Sequence, residues 1–268
     1  MIGIGPGHPR LLTLQAAAAI GVAEVIRHPE GCDPAILDHA PAGADLARYQ
    51  GPTEVLELAQ GGSRVAVLFA GDPYAFSEGA GLAELLERAG IDFEVIPGLL
   101  LETAAPALSG IPLTLEGRSA SIALGTPGQA DTAVLRLADG WWESGVAALQ
   151  RHGWSDEAPA ALLLGSGQAG QKRVVATLTS VTEMAQREGV SGDALLVVGP
   201  GVELAERLDT LSRRPLHGVR ILVTRPRQQA SGLTDRLTEL GATVVEVPTI
   251  EIRPMADREK VEEAIDRL

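Results

Sequence analysis

One stretch indicates the fold class of this chain: Arg64-Val-Ala-Val-Leu-Phe-Ala-Gly-Asp-Pro-Tyr-Ala-Phe-Ser-Glu-Gly79. Residues 65–69 form an unbroken apolar run, which is typical of a parallel strand buried on both faces. The run ends where Gly71 permits close approach of another backbone or a ligand and Pro73 stops the strand. Asp72 therefore follows the carboxyl end of a buried strand, where open α/β sheets bind their ligands. The alternative is an ordinary turn in which Asp72 caps the following helix.

The composition is that of a globular protein with an acidic surface. Of the 268 residues, 45% are hydrophobic and 21% are charged, and the formal net charge is −13. This charge and an aromatic content of 3% argue against nucleic acid and anionic membranes as partners. Cys32 is the only cysteine, so no intrachain disulfide can form. The apolar run 14–26 is too short and too interrupted for a membrane span or signal peptide, so we expect a cytoplasmic protein, and we expect no metal site.

A second glycine-rich loop lies near the N-terminus. Met1-Ile-Gly-Ile-Gly-Pro-Gly7 predicts a short strand followed by a loop, and residues 11–25 predict a helix. The glycine spacing is not the G-x-G-x-x-G of nicotinamide-dependent dehydrogenases, and the Lys-Ser/Thr ending of a P-loop is absent. Both phosphate-binding interpretations are therefore weak. Residues 29–51, which are rich in Gly, Pro and Asp, are predicted to be irregular.

The rest of the chain alternates between strand and helix patterns in three blocks. In the first block we predict strands at 65–69 and 91–96, and helices at 52–60, 80–89 and 99–108. The pattern restarts after Pro112, with strands at 119–124, 160–164 and 194–198 and helices at 141–152 and 182–187. After Arg213-Arg214 we predict one βαβ unit, at 219–224, 228–240 and 243–247, and a terminal helix at 257–268. We therefore expect two α/β lobes, 1–112 and 113–212, followed by a partial βαβ segment, 213–268.

Four motifs in a fixed order carry a resemblance to a known family. They are Gly3-Ile-Gly-Pro-Gly-His-Pro-Arg-Leu-Leu-Thr-Leu-Gln-Ala16, Ala70-Gly-Asp-Pro-Tyr-Ala-Phe76, Val95-Ile-Pro-Gly98 and Ala104-Ala-Pro-Ala-Leu-Ser-Gly-Ile-Pro-Leu-Thr114. Together they resemble the tetrapyrrole methylases, and within that family the uroporphyrinogen-III C-methyltransferases of the precorrin-2, sirohaem and cobalamin branch. The segment Pro215-Leu-His-Gly-Val-Arg-Ile-Leu-Val-Thr-Arg-Pro-Arg227 is similar to the start of uroporphyrinogen-III synthases, of which only the first part is present.

The resemblance implies a two-lobed tetrapyrrole methylase fold with S-adenosyl-L-methionine bound in the cleft between the lobes. It implies a tetrapyrrole substrate and a homodimer. For the tail two alternatives are open: it is the start of a longer polypeptide, or it docks on a separate uroporphyrinogen-III synthase fragment as its partner. No catalytic residue is assigned. The positions that match cofactor-contacting residues of the family are Pro6, Ala70, Gly71, Asp72, Ala75 and Ser166.

Several positions depart from the pattern of the family. His8 stands where the family has an acid, Glu78 and Glu116 stand where it has arginines, and the first lysine of the chain is Lys172. The acid that the family places after its first helix falls on Pro29, and Asp33 or His28 is a possible replacement. Uroporphyrinogen carries eight carboxylates, and two glutamates in its pocket repel it. Two hypotheses therefore remain open: an active methyltransferase, and a catalytically lapsed methylase that acts as a scaffold or regulator of a synthase.

Overall fold

The computed structural model describes residues 1–165, 171–210, 212–225, 227–247 and 249. The chain divides into two compact units, Met1–Leu211 and Ser212–Leu268. Among the described residues, the first unit holds two separate sheets with helices packed on them, and the second holds a small sheet with one helix. No helix in the described part of the chain is both long and apolar enough to cross a membrane.

The N-terminal sheet has four parallel strands in the order β1-β4-β2-β3. They are β1 (Ile2–Gly3), β2 (Val25–His28), β3 (Asp45–Arg48) and β4 (Val65–Phe69). The strand β4 lies inside the sheet and is buried from Ala66 to Phe69, as its apolar run predicts. Side chains of β4 alternate between two apolar clusters, one on each face of the sheet, so the sheet is covered on both sides. The helices of this lobe are α1 (Leu14–Ile20), α2 (Pro34–Leu37), α3 (Pro52–Gln60) and α4 (Gly79–Arg88).

Two of these strands lie where no strand was predicted. The helix predicted over 11–25 is wrong in its second half, because α1 ends with Gly21 at its C-cap and the chain then forms β2. Arg27 interrupts the apolar pattern of β2, so the sequence does not indicate a strand there. The side chain of Arg27 is buried and forms ion pairs with Asp45 and Glu54. The prediction that 29–51 is irregular is also wrong. The strand β3 lies at an edge of the sheet, so most of its side chains are exposed and its sequence shows no apolar run.

The predicted strand 91–96 is present only as an isolated bridge. Ile96 pairs with Ile2 in parallel, and the Ile96 amide donates to the Met1 carbonyl at 2.9 Å. The segment therefore lies beside β1 without forming a regular ladder. This pairing brings Pro97 and Gly98 to the same end of the sheet as the loop that follows β4.

The C-terminal sheet has five strands in the order β5-β6-β9-β7-β8. They are β5 (Ile122–Leu124), β6 (Thr132–Leu137), β7 (Pro159–Leu164), β8 (Lys172–Thr177) and β9 (Ala194–Val198). Only β5 and β6 are parallel, and the other neighbours are antiparallel. The strands β6 and β8 were not predicted, because Arg136 interrupts the apolar run of one and Lys172-Arg173 opens the other.

One helix connects the two lobes and packs on the second sheet. It is α5 (Leu101–Leu108), and its Ala105 shares an apolar cluster with Val134 of β6 and Leu163 of β7. The opposite face of the sheet is covered by α6 (Trp142–Arg151) and α7 (Val181–Arg187), and α8 (Ala205–Leu208) follows β9. The lobe boundary after residue 112 stays a prediction.

The second unit contains the predicted βαβ arrangement. The strands β10 (Arg220–Val223) and β11 (Thr243–Glu246) are parallel neighbours in a two-stranded sheet, and α9 (Arg227–Glu239) connects them. The helix predicted at 257–268 lies outside the described residues. The α/β class, with two lobes and a partial βαβ tail, is therefore confirmed.

Candidate functional site

Three segments of backbone meet at the carboxyl ends of the N-terminal strands. The Gly5 amide donates to the Gly71 carbonyl at 3.2 Å, and the Gly71 amide donates to the Gly5 carbonyl at 2.8 Å. The Gly3 amide donates to the Ile96 carbonyl at 2.9 Å, which brings in the third segment. The loops after β1 and β4 and the segment after Ile96 thus form one continuous surface, which we call the glycine cradle after Gly3, Gly5, Gly71 and Gly98.

The cradle requires glycine because its backbones are in contact. A Cβ atom on Gly98 would lie 2.0 Å from the Gly71 carbonyl oxygen, and one on Gly3 would lie 2.5 Å from the Gly98 nitrogen. Gly5 and Gly71 have φ angles of +66° and +74°, a conformation that other residues rarely adopt. The motif glycines therefore have a structural reason that is independent of any ligand.

The carboxylate of Asp72 holds two of the loops together. One oxygen accepts a hydrogen bond from the Tyr74 amide at 2.8 Å, and the other accepts one from the Gly98 amide at 3.1 Å. Asp72 does not cap the next helix, since α4 begins at Gly79 with Glu78 as its N-cap. Each carboxylate oxygen has further acceptor capacity, so the half-buried Asp72 can still accept from a bound cation.

The predicted cofactor residues occupy two neighbouring loops. Pro6 follows the bridge at Gly5 and is half-buried, Ala70 is exposed, and Gly71 is buried in the bridge itself. The Ala75 amide donates to the Asp72 carbonyl at 3.3 Å, which closes the turn after β4. Ser166 lies outside the described residues. The assignment of these residues to a cofactor stays a prediction.

A cation from the second lobe faces the cradle, and the sequence did not indicate it. Arg136, near the end of β6, forms a two-point ion pair with Glu102 of α5. Its guanidinium carbon lies 5.7 Å from the centre of the Phe76 ring, and its Nη2 lies 3.9 Å from the place where a Cβ on Gly71 would stand. The partners Glu102 and Arg136 are 34 residues apart in different elements, so neither periodicity nor a local motif could reveal the pair.

Phe76 has a strained backbone at the junction of the lobes. Its φ of +59° is the one positive value of a non-glycine residue in the described part of the chain. Its ring lies under Arg136 and is 54% exposed, and a Cβ on Gly125 of the second lobe would come within 2.5 Å of it. Backbone strain of this kind persists only where the surroundings impose it, and it concentrates at binding sites.

The family model described as Tetrapyrrole (Corrin/Porphyrin) Methylases matches residues 1–182. This chain belongs to the tetrapyrrole methylase family. Among its relatives is the S-adenosyl-L-methionine-dependent uroporphyrinogen III methyltransferase of Methanosarcina barkeri, which is 33% identical over 78% of this chain and 93% of the relative. The crystal structure of uroporphyrin-III-C-methyltransferase from Thermus thermophilus is 33% identical, with a TM-score of 0.70, and the match covers 77% of this chain and 96% of that chain.

The match to another relative extends over the whole length of this chain, including the tail. The porphyrin biosynthesis protein HemD of Ruminiclostridium josui is 28% identical over 100% of this chain, which spans 59% of the length of that relative. The siroheme synthase of Hydrogenovibrio crunogenus is 30% identical over 79% of this chain, and the match covers 50% of that relative. A further Thermus thermophilus methyltransferase structure, 27% identical with a TM-score of 0.63, is complexed with S-adenosyl homocysteine.

The two side chains that could replace the missing acid of the family form hydrogen bonds with nearby backbone groups. Asp33 accepts from the Ala35 amide at 2.9 Å as the N-cap of α2, and the His28 Nδ1 lies 3.0 Å from the Pro29 carbonyl oxygen. His8 accepts from the Arg10 amide through Nδ1 at 3.1 Å, and burial lowers the pKa of its imidazole. These contacts favour structural roles for Asp33 and His28. The described residues contain no cluster of three or more potential metal ligands.

We predict that Cys32 of this methylase resists alkylation. Burial, followed by the nearby Asp33 carboxylate, raises the pKa of its thiol to about 11, so almost no thiolate is present at pH 8.5. Iodoacetamide at pH 8.5 is expected to react about a hundredfold more slowly than with free cysteine, whose pKa is ~8.5. Mass spectrometry over time measures this rate. Chain unfolded in urea is the control and should react at the ordinary rate; equally fast alkylation of the folded chain contradicts the prediction.

Proposed function

We propose that this chain binds S-adenosyl-L-methionine at the glycine cradle and transfers its methyl group to a carbon of a uroporphyrinogen-type tetrapyrrole. The observation that carries the proposal is the cradle itself, in which Asp72 fixes Gly98 beside the Gly5–Gly71 bridge. The names of the relatives from Methanosarcina barkeri and Thermus thermophilus support the same activity.

The residues of the cradle fit the amino-acid end of this cofactor. The half-buried Pro6 and the exposed Ala70, which flank Gly5 and Gly71, can present main-chain groups to its polar atoms. The remaining lone pairs of Asp72 can accept from its ammonium group. We propose that Pro6, Ala70, Gly71, Asp72, Ala75 and Ser166 hold it. When bound, S-adenosylmethionine supplies an electrophilic methyl group. The chain contributes chiefly by positioning the two reactants.

A second candidate function is a lapsed methylase that supports a synthase. The observation that favours it is the pair of exposed carboxylates at Glu78 and Glu116, which disfavour a highly anionic acceptor. Glu78 also has a structural role, because a negative charge at the N-cap stabilises α4. A less negatively charged acceptor remains compatible with turnover. We retain methyl transfer as the first proposal.

Calorimetry with S-adenosylhomocysteine tests cofactor binding, and Asp72→Asn is the informative variant. An amide keeps one acceptor oxygen but places an NH2 group opposite a backbone donor, so one loop contact and the negative charge are lost. We expect about 10- to 100-fold weaker binding, since a hydrogen bond to a charged group is worth ~1.5–3 kcal/mol. The matched control is Asp92→Asn, an exposed carboxylate on the segment leading to Ile96, which should bind like the wild type.

Equal affinity of Asp72→Asn and the wild type would show that Asp72 does not serve the cofactor. Binding of a nicotinamide dinucleotide in place of S-adenosylhomocysteine would contradict the proposed function.

We propose that a uroporphyrinogen-III synthase-type segment is the partner of the tail. The small sheet has apolar side chains that are 39–60% exposed, and they are Val219, Leu222, Val245 and Val247. Within the part of the tail that the structure describes, the sheet has two strands, and further strands can be added at the edges of so small a sheet. The HemD match, which spans this tail, supports a synthase-type occupant, whether in the same polypeptide or a separate one. We also propose that this chain forms a homodimer and that it is located in the cytoplasm.

Limited trypsin digestion is expected to separate the two units. Arg213 and Arg214 are exposed just after the boundary of the first unit, and exposed connections are preferred sites of cleavage. We expect early cleavage there, a persistent fragment of roughly 210 residues, and rapid loss of the tail. Mass spectrometry identifies the fragments. A tail that persists in the isolated chain, or cyclisation of hydroxymethylbilane by this chain alone, would contradict the need for a partner.

A further inference from the structure

Arg136 presents an unused binding edge to the cradle. Its Nε and Nη2 donate to the two carboxylate oxygens of Glu102, which leaves Nη1 without a partner among the described residues. The side chain of Arg136 is 40% exposed, whereas that of Glu102 is fully buried. A guanidinium has a second, end-on edge formed by Nη1 and Nη2, which matches the geometry of a carboxylate.

The surroundings fix the direction of this edge. Glu102 holds the guanidinium from the buried side, and the Phe76 ring supports it by a cation–π contact at 5.7 Å. The Nη2 atom lies near Gly71, in the bridge at the centre of the cradle. An arginine that is already oriented loses less side-chain entropy when it binds a ligand.

We propose that Arg136 is the carboxylate-binding residue of this cleft, with Glu102 and Phe76 as its positioning residues. The inference rests on the proposed function, since it concerns a ligand of the same site. Two ligands bring a carboxylate there: the amino-acid end of S-adenosylmethionine, and the acetate or propionate arms of a tetrapyrrole. The chemistry of recognition is the same for both.

The guanidinium of Arg136 comes from a different part of the chain from the loops of the cradle. Arg136 comes from β6 and reaches the cradle from the opposite lobe.

The test uses calorimetry to measure the affinities of three ligands for the wild type and for two altered proteins. The ligands are S-adenosylhomocysteine, methylthioadenosine, which lacks the amino-acid carboxylate, and uroporphyrin III. The first variant, Arg136→Lys, keeps a positive charge beside Glu102 but removes the fork. The second is the double variant Glu102→Met with Arg136→Met, which removes both charges of the pair. Because it leaves no unpaired buried charge, it allows the proposal to be tested even if the first variant does not fold. The control is Arg187→Gln, an exposed arginine on α7 paired with Glu183.

We expect both altered proteins to bind one carboxylate ligand about 10- to 100-fold more weakly, with methylthioadenosine unchanged and the control like the wild type. A loss confined to S-adenosylhomocysteine assigns Arg136 to the cofactor, and a loss confined to uroporphyrin III assigns it to the acceptor. Unchanged binding of both, or an equal loss for all three ligands, overturns the inference. A wild-type chain that binds neither S-adenosylhomocysteine nor uroporphyrin III instead overturns the proposed function.

Discussion

Replacing Gly98 by alanine is expected to lower the free energy of unfolding by about 3 kcal/mol and to abolish S-adenosylhomocysteine binding. The new Cβ would lie 2.0 Å from the Gly71 carbonyl oxygen and 2.8 Å from the Gly3 Cα. Both neighbours are backbone atoms held by hydrogen bonds, so no side chain can rotate away to make room. The clash must instead separate the segments that form the cradle.

The matched control is Gly81→Ala in α4. No heavy atom lies within 4 Å of the Cβ that it would add, and alanine is the better helix former. This variant should therefore be more stable than the wild type by up to ~1 kcal/mol and should bind S-adenosylhomocysteine normally. Urea unfolding compares the stabilities, and calorimetry compares the affinities. If Gly98→Ala matches Gly81→Ala in both measurements, the cradle is not packed as described.

Replacing Arg136 by methionine is expected to lower the free energy of unfolding by about 3–5 kcal/mol. The change leaves Glu102, which is fully buried, without the arginine that compensates its charge. The reverse change, Glu102→Met, should be milder, at about 1 kcal/mol, because the guanidinium of Arg136 is 40% exposed and water can solvate it. The asymmetry follows from burial alone, since both variants remove the same pair.

A double-mutant cycle checks this expectation. The protein with Met at both positions should recover to within ~1 kcal/mol of the wild type, because an apolar pair of similar volume replaces a buried ion pair with little loss. Chemical denaturation of the four proteins gives the coupling free energy. Equal losses for the two single variants, or a double variant that is the least stable of the four, would contradict the buried position of Glu102.

The sequence predicts the parts of the fold that local pattern controls. The strand β4 and its loop, the helix α3 and the strand β9 lie where apolar runs and glycine or proline boundaries place them. The strands β2 and β6 were missed because each carries an arginine in an otherwise apolar run. Both arginines, Arg27 and Arg136, are paired with carboxylates from other elements, and single-sequence patterns do not contain that tertiary information.

The candidate site was predictable on one side only. The loops after β1 and β4 carry glycine motifs whose spacing is local, so the sequence alone is enough to propose Gly71 and Asp72 as site residues. The opposite side depends on α5 packing against β6, which brings Glu102 to Arg136. The role of Asp72 also needed the structure, because its partner Gly98 is 26 residues away.

The most direct test of the central claim is methyl transfer itself. The full chain is incubated without oxygen with uroporphyrinogen III and methyl-labelled S-adenosylmethionine, with the Thermus thermophilus methyltransferase as positive control and Gly98→Ala as negative control. We expect label to pass to the tetrapyrrole and precorrin-2 to form. A chain that binds S-adenosylhomocysteine but transfers no label to uroporphyrinogen III, while the positive control does, would contradict the proposed activity and favour the lapsed methylase.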